Sequence, residues 1–124
     1  MKVAVTSSEP DLDAQVDPRF GRAQHLLVVD SETLEFEAVP NPNTSAGGGA
    51  GIQTAQLIAS KGAEAVLTGN CGPNAFRTLE AAGIKVYVGV SGTVRDALKA
   101  LKGGSLSAAP GPSVSGHFGM GRRR

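Results

Sequence analysis

The amino-acid sequence predicts an α/β domain built on a mixed five-stranded sheet with helices on both faces. Three observations carry this expectation. Short apolar runs near the N-terminus repeat at a strand period, before any helical pattern begins. A glycine-rich loop then gives way to helical spacing. Finally, Ala63–Gly83 and Ile84–Gly104 are consecutive 21-residue units, each reading strand, loop, helix, glycine. Strands alternating with helices imply right-handed parallel crossovers.

Taken in order, Lys2–Thr6 (KVAVT) reads as a short buried strand, and Ser7–Arg22 as a polar connection with Pro10, Pro18 and Gly21. Gln24–Asp30 (QHLLVVD) and Thr33–Val39 (TLEFEAV) are two further strands, and the short Ser31-Glu32 link between them implies a hairpin. In the second, Leu34, Phe36 and Ala38 alternate with Glu35, Glu37 and Val39, so the first set is expected to face inward. Pro40–Gly51 (PNPNTSAGGGAG) is a loop. Ile52, Ala55, Ile58 and Ala59 then recur at helical spacing, with Gly62 as the stop.

In the first 21-residue unit, Ala65–Thr68 is the strand and Pro73–Ala82 the helix. Pro73 fits a first helical turn, where its missing N–H has no intrahelical partner. In the second, Val86–Val90 is the strand and Thr93 the N-cap, with Asp96 placed for a capping box. Val94, Ala97, Leu98 and Leu101 form the apolar stripe, and Gly103 ends the helix. The order β-β-β-α-β-α-β-α is that of a three-layer ribonuclease-H-like fold, although other α/β topologies share it. Residues 1–104 therefore make one domain, and 105–124 a flexible Gly/Pro-rich basic tail.

Composition narrows the function. The net charge is +1, with nine Lys/Arg against eleven Asp/Glu in residues 1–104 and three arginines in the last twenty. Such a balance argues for neither nucleic acid nor an anionic membrane as partner. Without a second cysteine no internal disulfide can form, and no apolar run approaches the ~20 residues that span a bilayer. Met1 leads straight into an apolar strand, so a reducing cytoplasm is the expected compartment.

Four segments could carry chemistry. Cys71, in Thr68-Gly69-Asn70-Cys71-Gly72-Pro73, follows a parallel strand and precedes a helix, where open α/β sheets bind ligands. A helix N-terminus favours a thiolate there, the form that binds metal or attacks electrophiles. Gly47, Gly48 and Gly49 precede another helix and could offer N–H groups to an anion or cluster. The Gly-Lys-Ser/Thr of a nucleotide-phosphate loop is missing, because Gly51 is followed by Ile52-Gln53-Thr54. Arg19 and Arg22, in Asp17-Pro18-Arg19-Phe20-Gly21-Arg22-Ala23, could grip an anionic ligand with guanidinium forks. His117, in the tail, could fold over a metal site and add a ligand. Each has a plainer alternative: a buried thiol, a linker, a solvated turn, a tail histidine.

Together DPRFGRA (Asp17–Ala23), GIQTAQLI (Gly51–Ile58), GNCGPNAFRTLEAAGI (Gly69–Ile84) and VSGTVRDALKAL (Val90–Leu101) resemble the dinitrogenase iron–molybdenum-cofactor biosynthesis family. That family includes cofactor carriers, cofactor-insertion proteins and the C-terminal domain of the radical enzyme that makes the cofactor core. The resemblance runs from Met1 to about Leu106. It implies a ribonuclease-H-like fold without nuclease activity, and transient binding of an iron–sulfur or iron–molybdenum-type cluster during assembly or delivery. Cys71 matches the position of a cluster-facing thiolate. The glycine loop and Asn70 would line the same end of the sheet, with Gly72 letting the backbone approach. His117 falls in a tail like those of small members.

One thiolate cannot hold a four-iron cluster, which commonly uses four cysteines. A shared site in a homodimer, tail histidines or exogenous ligands would be needed, so a temporary carrier is expected. Its partners would be cluster donor and acceptor proteins. A Cys71-dependent redox or transferase enzyme and a regulatory protein-binding module are the competing readings. A nuclease is rejected, because the first strand lacks the acidic residue that its metal site needs.

Overall fold

The computed structural model describes residues 1–41 and 50–111, and over these residues the strands and helices follow the expected order. The strands are β1 (Lys2–Ser7), β2 (His25–Asp30), β3 (Phe36–Pro40), β4 (Ala65–Leu67) and β5 (Lys85–Tyr87). The helices are α1 (Ala50–Ser60), α2 (Pro73–Ala81) and α3 (Val94–Lys102). The sheet order is β3-β2-β1-β4-β5. β1 runs antiparallel to β2, from Lys2↔Asp30 to Ser7↔His25, and parallel to β4, from Val3↔Ala65 to Val5↔Leu67. β2–β3 is antiparallel and β4–β5 parallel, so the sheet is mixed.

Val3–Ser7 and Leu26–Val29 are buried throughout, as strands covered on both faces must be. On one face Ala4, Leu26, Val66 and Val86 meet Ala55 and Ile58 of α1 and Phe76 and Leu79 of α2. On the other, Val3, Val5, Leu27, Val29 and Leu67 meet Val94, Ala97 and Leu98 of α3. The third helix starts as its sequence predicts. The Thr93 hydroxyl accepts the Asp96 N–H at 3.0 Å, and the Asp96 carboxylate accepts the Thr93 N–H at 3.4 Å.

Four local expectations need revision. The hairpin link is longer than Ser31-Glu32, and β3 starts at Phe36 rather than Thr33. The Asp30 carboxylate accepts the N–H groups of Glu32 (2.8 Å) and Thr33 (3.2 Å), which holds its pKa below the usual value and closes a turn before β3. Leu34 sits in that turn with φ +64°, and its N–H bonds the Asp30 carbonyl at 2.8 Å.

Second, Phe36 is 41% exposed rather than inward, because β3 is the edge strand and α3 covers the middle of that face. Third, Ile52 is only half-buried and belongs to a cleft, while Ala50 and Thr54 take buried places on α1. Fourth, the connection after β1 is less polar than it reads. Leu12, Ala14 and Val16 are buried, and the Val94 N–H bonds the Ala14 carbonyl at 2.9 Å.

Beyond α3 the chain crosses the free edge of β5. Leu106 packs on the α3 side and Ala109 on the α2 side, and the Ala109 N–H bonds the Val86 carbonyl at 2.7 Å. Among the described residues no helix is long and apolar enough to cross a membrane.

Candidate functional site

The carboxyl ends of β1 and β4 lie side by side, and a buried polar knot ties the segments that follow them. The Thr6 hydroxyl donates to the Asp17 carbonyl at 2.7 Å and lies 2.8 Å from the Thr68 hydroxyl. The Asp17 N–H returns to the Thr6 carbonyl at 2.9 Å. Thr6 and Thr68 are fully buried, so these bonds satisfy groups that water cannot reach.

Two further bonds then join the loops directly. The Asn70 N–H donates to the Pro18 carbonyl (2.8 Å) and the Phe20 N–H to the Asn70 carbonyl (3.3 Å). This contact requires glycine at 69, where a Cβ would stand 2.5 Å from the Pro18 Cα. Phe20 is 3% exposed and roots the short 3-10 turn Phe20–Arg22 in the core. Gly21 in that turn meets the backbone of α1, since a Cβ on it would lie 3.0 Å from the Gly51 N and Cα. Asn41 fastens the same turn: its amide donates to the Ala23 carbonyl at 2.9 Å, and its oxygen accepts from the Thr54 hydroxyl at 3.4 Å.

These contacts leave a cleft of about 550 Å³, within the usual range for small-ligand sites. Arg19, Gly21 and Arg22 line one wall, Ala50, Gly51 and Ile52 the start of α1, and Asn70 with Gly72–Ala75 the start of α2. The first α2 amide bonded within the helix region is Phe76, which reaches the Gly72 carbonyl at 2.9 Å, so the N–H groups of Asn74 and Ala75 have no intrahelical acceptor. Two helix N-termini, each with partial positive charge, thus border the same space as two guanidinium groups.

Among the described residues the cleft lining holds no carboxylate, imidazole, thiol or hydroxyl. Arg19 is braced from behind by Asp17, with Nε 3.3 Å and a terminal nitrogen 3.4 Å from the two carboxylate oxygens. Asp17 is 5% exposed, whereas the Arg19 side chain is 62% exposed. Hydrogen bonding to Asp17, then its charge, raises the Arg19 pKa further. The carboxylate also accepts the Arg19 N–H at 2.9 Å, which orients the residue toward the cleft. An arrangement of this kind suits an anion, and among the described residues its lining holds no general base or nucleophile.

Of the residues singled out in the sequence, Arg19, Arg22, Asn70 and Gly72 come together here. Gly47, Gly48, Gly49 and His117 lie outside the described residues. Cys71 departs from expectation. Its side chain is 1% exposed and packs in the core with Phe20, Ala75 and Phe76, beneath the loop whose flanking residues line the cleft. Burial pushes the thiol up to about 11, so it is protonated at neutral pH rather than held as the expected thiolate.

The thiol gives a direct prediction. A thiol reagent at pH 8 should leave the native protein unmodified over minutes and label it rapidly in denaturant; equal rates would show Cys71 to be accessible. Because the folded pKa is about 11, above the 9.0 of an unperturbed thiol, its contribution to stability is full below about 9 and is lost as pH rises to about 11. A loss on the order of 2 kcal/mol is expected across that window in urea titrations.

Fold and cleft together define a small α/β domain with a cleft of the size that small ligands occupy. The chain belongs to the dinitrogenase iron–molybdenum cofactor family, whose model matches residues 1–104. The orange protein from Desulfovibrio gigas, solved in its apo form, is 45% identical with TM-score 0.89, covering 91% of this chain and 96% of that one. A Thermotoga protein classed with NifB is 40% identical with TM-score 0.75, covering 86% and 91%. An uncharacterised protein of Methanocaldococcus jannaschii is 29% identical over 86% of this chain and 89% of its own length.

The sequence reading missed the residues that build the cleft without lining it. Thr6 on β1, Thr54 on α1, and Thr68 and Asn41 just after β4 and β3 are small polar groups far apart in the sequence, distinguished by their burial.

Proposed function

We propose that the protein is a non-catalytic carrier that binds an anionic iron–sulfur or iron–molybdenum-type cluster in this cleft and releases it during metallocofactor assembly. The carrying observation is the pairing of Arg19 and Arg22 with two helix N-termini around a space whose described lining has no acidic group. Membership of the family supports the choice of cargo. Charge and hydrogen bonds would grip the cluster's own anionic ligands, so the protein needs no set of cysteines. Among the described residues no group of three or more His, Cys, Asp or Glu is placed to ligate a metal ion.

Cys71 serves as packing under the cleft floor in this reading, and reaches the cargo only if the Asn70–Gly72 loop opens. Donor and acceptor proteins are the partners required, and a reducing cytoplasm is the compartment in which we place the exchange. We also read the sheet as ribonuclease-H-like, which its order β3-β2-β1-β4-β5 supports.

Anaerobic reconstitution tests the carrier. The full chain is incubated with iron and sulfide, or with isolated iron–molybdenum cofactor, then desalted and examined by absorption and paramagnetic resonance. Retained cluster signals are expected, in Cys71→Ala as in the wild type. Signals lost only in Cys71→Ala would replace the ionic grip by thiolate ligation. Absence of uptake from every source would remove the carrier reading.

A further inference from the structure

We infer that a second groove, between α3 and the turn joining β2 to β3, docks an acidic segment of a partner protein that carries bulky apolar side chains. The groove encloses about 370 Å³. Leu34 and Leu98 give it an apolar floor, while Arg95, Lys99 and Lys102 stand around it against the lone carboxylate of Glu32. The three cations fall at i, i+4 and i+7 of α3, on one helical face.

Their existing pairings are weak. Arg95 meets Asp13 at 3.0 Å and Lys102 meets Glu32 at 3.9 Å, both between exposed side chains, and Lys99 has no ion pair among the described residues. Exposed pairs of this kind contribute little and yield to a better-placed carboxylate.

The apolar side of the groove is displayed rather than incidental. Leu34 is the only non-glycine residue of positive φ among those described, a conformation that costs about 1 kcal/mol. The Asp30 carboxylate and the bond from the Asp30 N–H to the Glu35 carbonyl (2.8 Å) hold the turn in place. Phe36, 41% exposed, lies on the same face of the sheet two residues further on. Apolar anchors beside a basic rim suit a segment with Leu or Phe between Asp and Glu residues.

Charge selects this occupant over the alternatives. The chain's own terminal Arg122, Arg123 and Arg124 share the sign of the rim, and a second copy in a two-fold contact would bring the same cations to the same place. The groove also lies at the amino end of β1, where the Ser31 N–H bonds the Met1 carbonyl, whereas the cleft opens at its carboxyl end. The length of β1 separates them by roughly 20 Å, so a docked partner leaves the cleft open.

The test is an NMR titration of the ¹⁵N-labelled full chain with a capped helical peptide of Glu residues and two Leu one turn apart. A second peptide replaces every Glu by Lys. The acidic peptide is expected to shift the amides of Ser31–Leu34 and Arg95–Lys102 saturably, and the basic one to leave them unmoved. The exposed double variant Lys99→Glu/Lys102→Glu should weaken binding about tenfold while keeping the wild-type circular dichroism and the response of the cleft. No shifts, equal response to both peptides, or shifts confined to Arg19–Arg22 and Asn70–Ala75 would overturn the proposal. So would movement of the groove amides on deleting residues 112–124, which would make the chain's own end the occupant.

Discussion

The double variant Arg19→Ala/Arg22→Ala is expected to lose cluster retention by at least about 100-fold, because each guanidinium supplies charge-assisted hydrogen bonds worth roughly 1.5–3 kcal/mol. The two single variants should differ in a second property. Arg22→Ala removes an exposed side chain, whose contacts water screens, and should move the denaturation midpoint little. Arg19→Ala also strips the guanidinium from the buried Asp17 carboxylate, which keeps only the Arg19 N–H at 2.9 Å among its bonds to that residue.

Since Arg19 is largely exposed, solvent screening keeps that second loss small. Arg22→Lys keeps the charge but not the planar fork, and should fall between wild type and alanine. Absorbance per protein after desalting measures retention, and urea unfolding measures stability. Full retention by the double variant would sink the ionic grip.

The second large effect is structural. Gly69→Ala should destabilise the fold by about 3 kcal/mol through backbone overpacking, because the new Cβ would stand 2.5 Å from the Pro18 Cα and 3.0 Å from its carbonyl oxygen. Neither atom can rotate away. Relief requires the two loops to separate, which breaks the Asn70–Pro18 hydrogen bond and spreads the cleft, so ligand binding should fail even in the folded fraction. Gly51→Ala is the contrast. Among the described residues its Cβ would meet the Ala75 methyl, at 3.2 Å, and the small shift this needs is offset by alanine's better helix propensity, so the change should stay within about 1 kcal/mol. Equal urea midpoints for the two variants would contradict this account of the loop contact.

The fold was legible in the sequence because its main signals are periodic and local. The paired 21-residue units, Pro73 at a helix start, and Thr93 with Asp96 each predict their element from a handful of neighbours. What misled were features decided by distant chain. Phe36 alternates correctly but lies beyond the cover of α3, and Leu34 was assigned to a strand because no local rule puts leucine at positive φ. The cleft divides in the same way. Arg19, Arg22, Asn70 and Gly72 stand in motifs with visible chemistry. The burial of Cys71 depends on which way one side chain turns beneath Phe20 and Phe76, and no spacing encodes that.

The strand of backbone that crosses β5 separates two boundaries usually treated as one. The family match ends at residue 104, but the Ala109 N–H is what occupies the Val86 carbonyl. A chain cut at the end of that match would keep every described residue of the cleft and bare one edge of the sheet. Bare edges recruit strands from other molecules, so such a fragment should associate more readily than the full chain. Fusions or truncations are therefore better drawn after Gly111 than at the end of the family match.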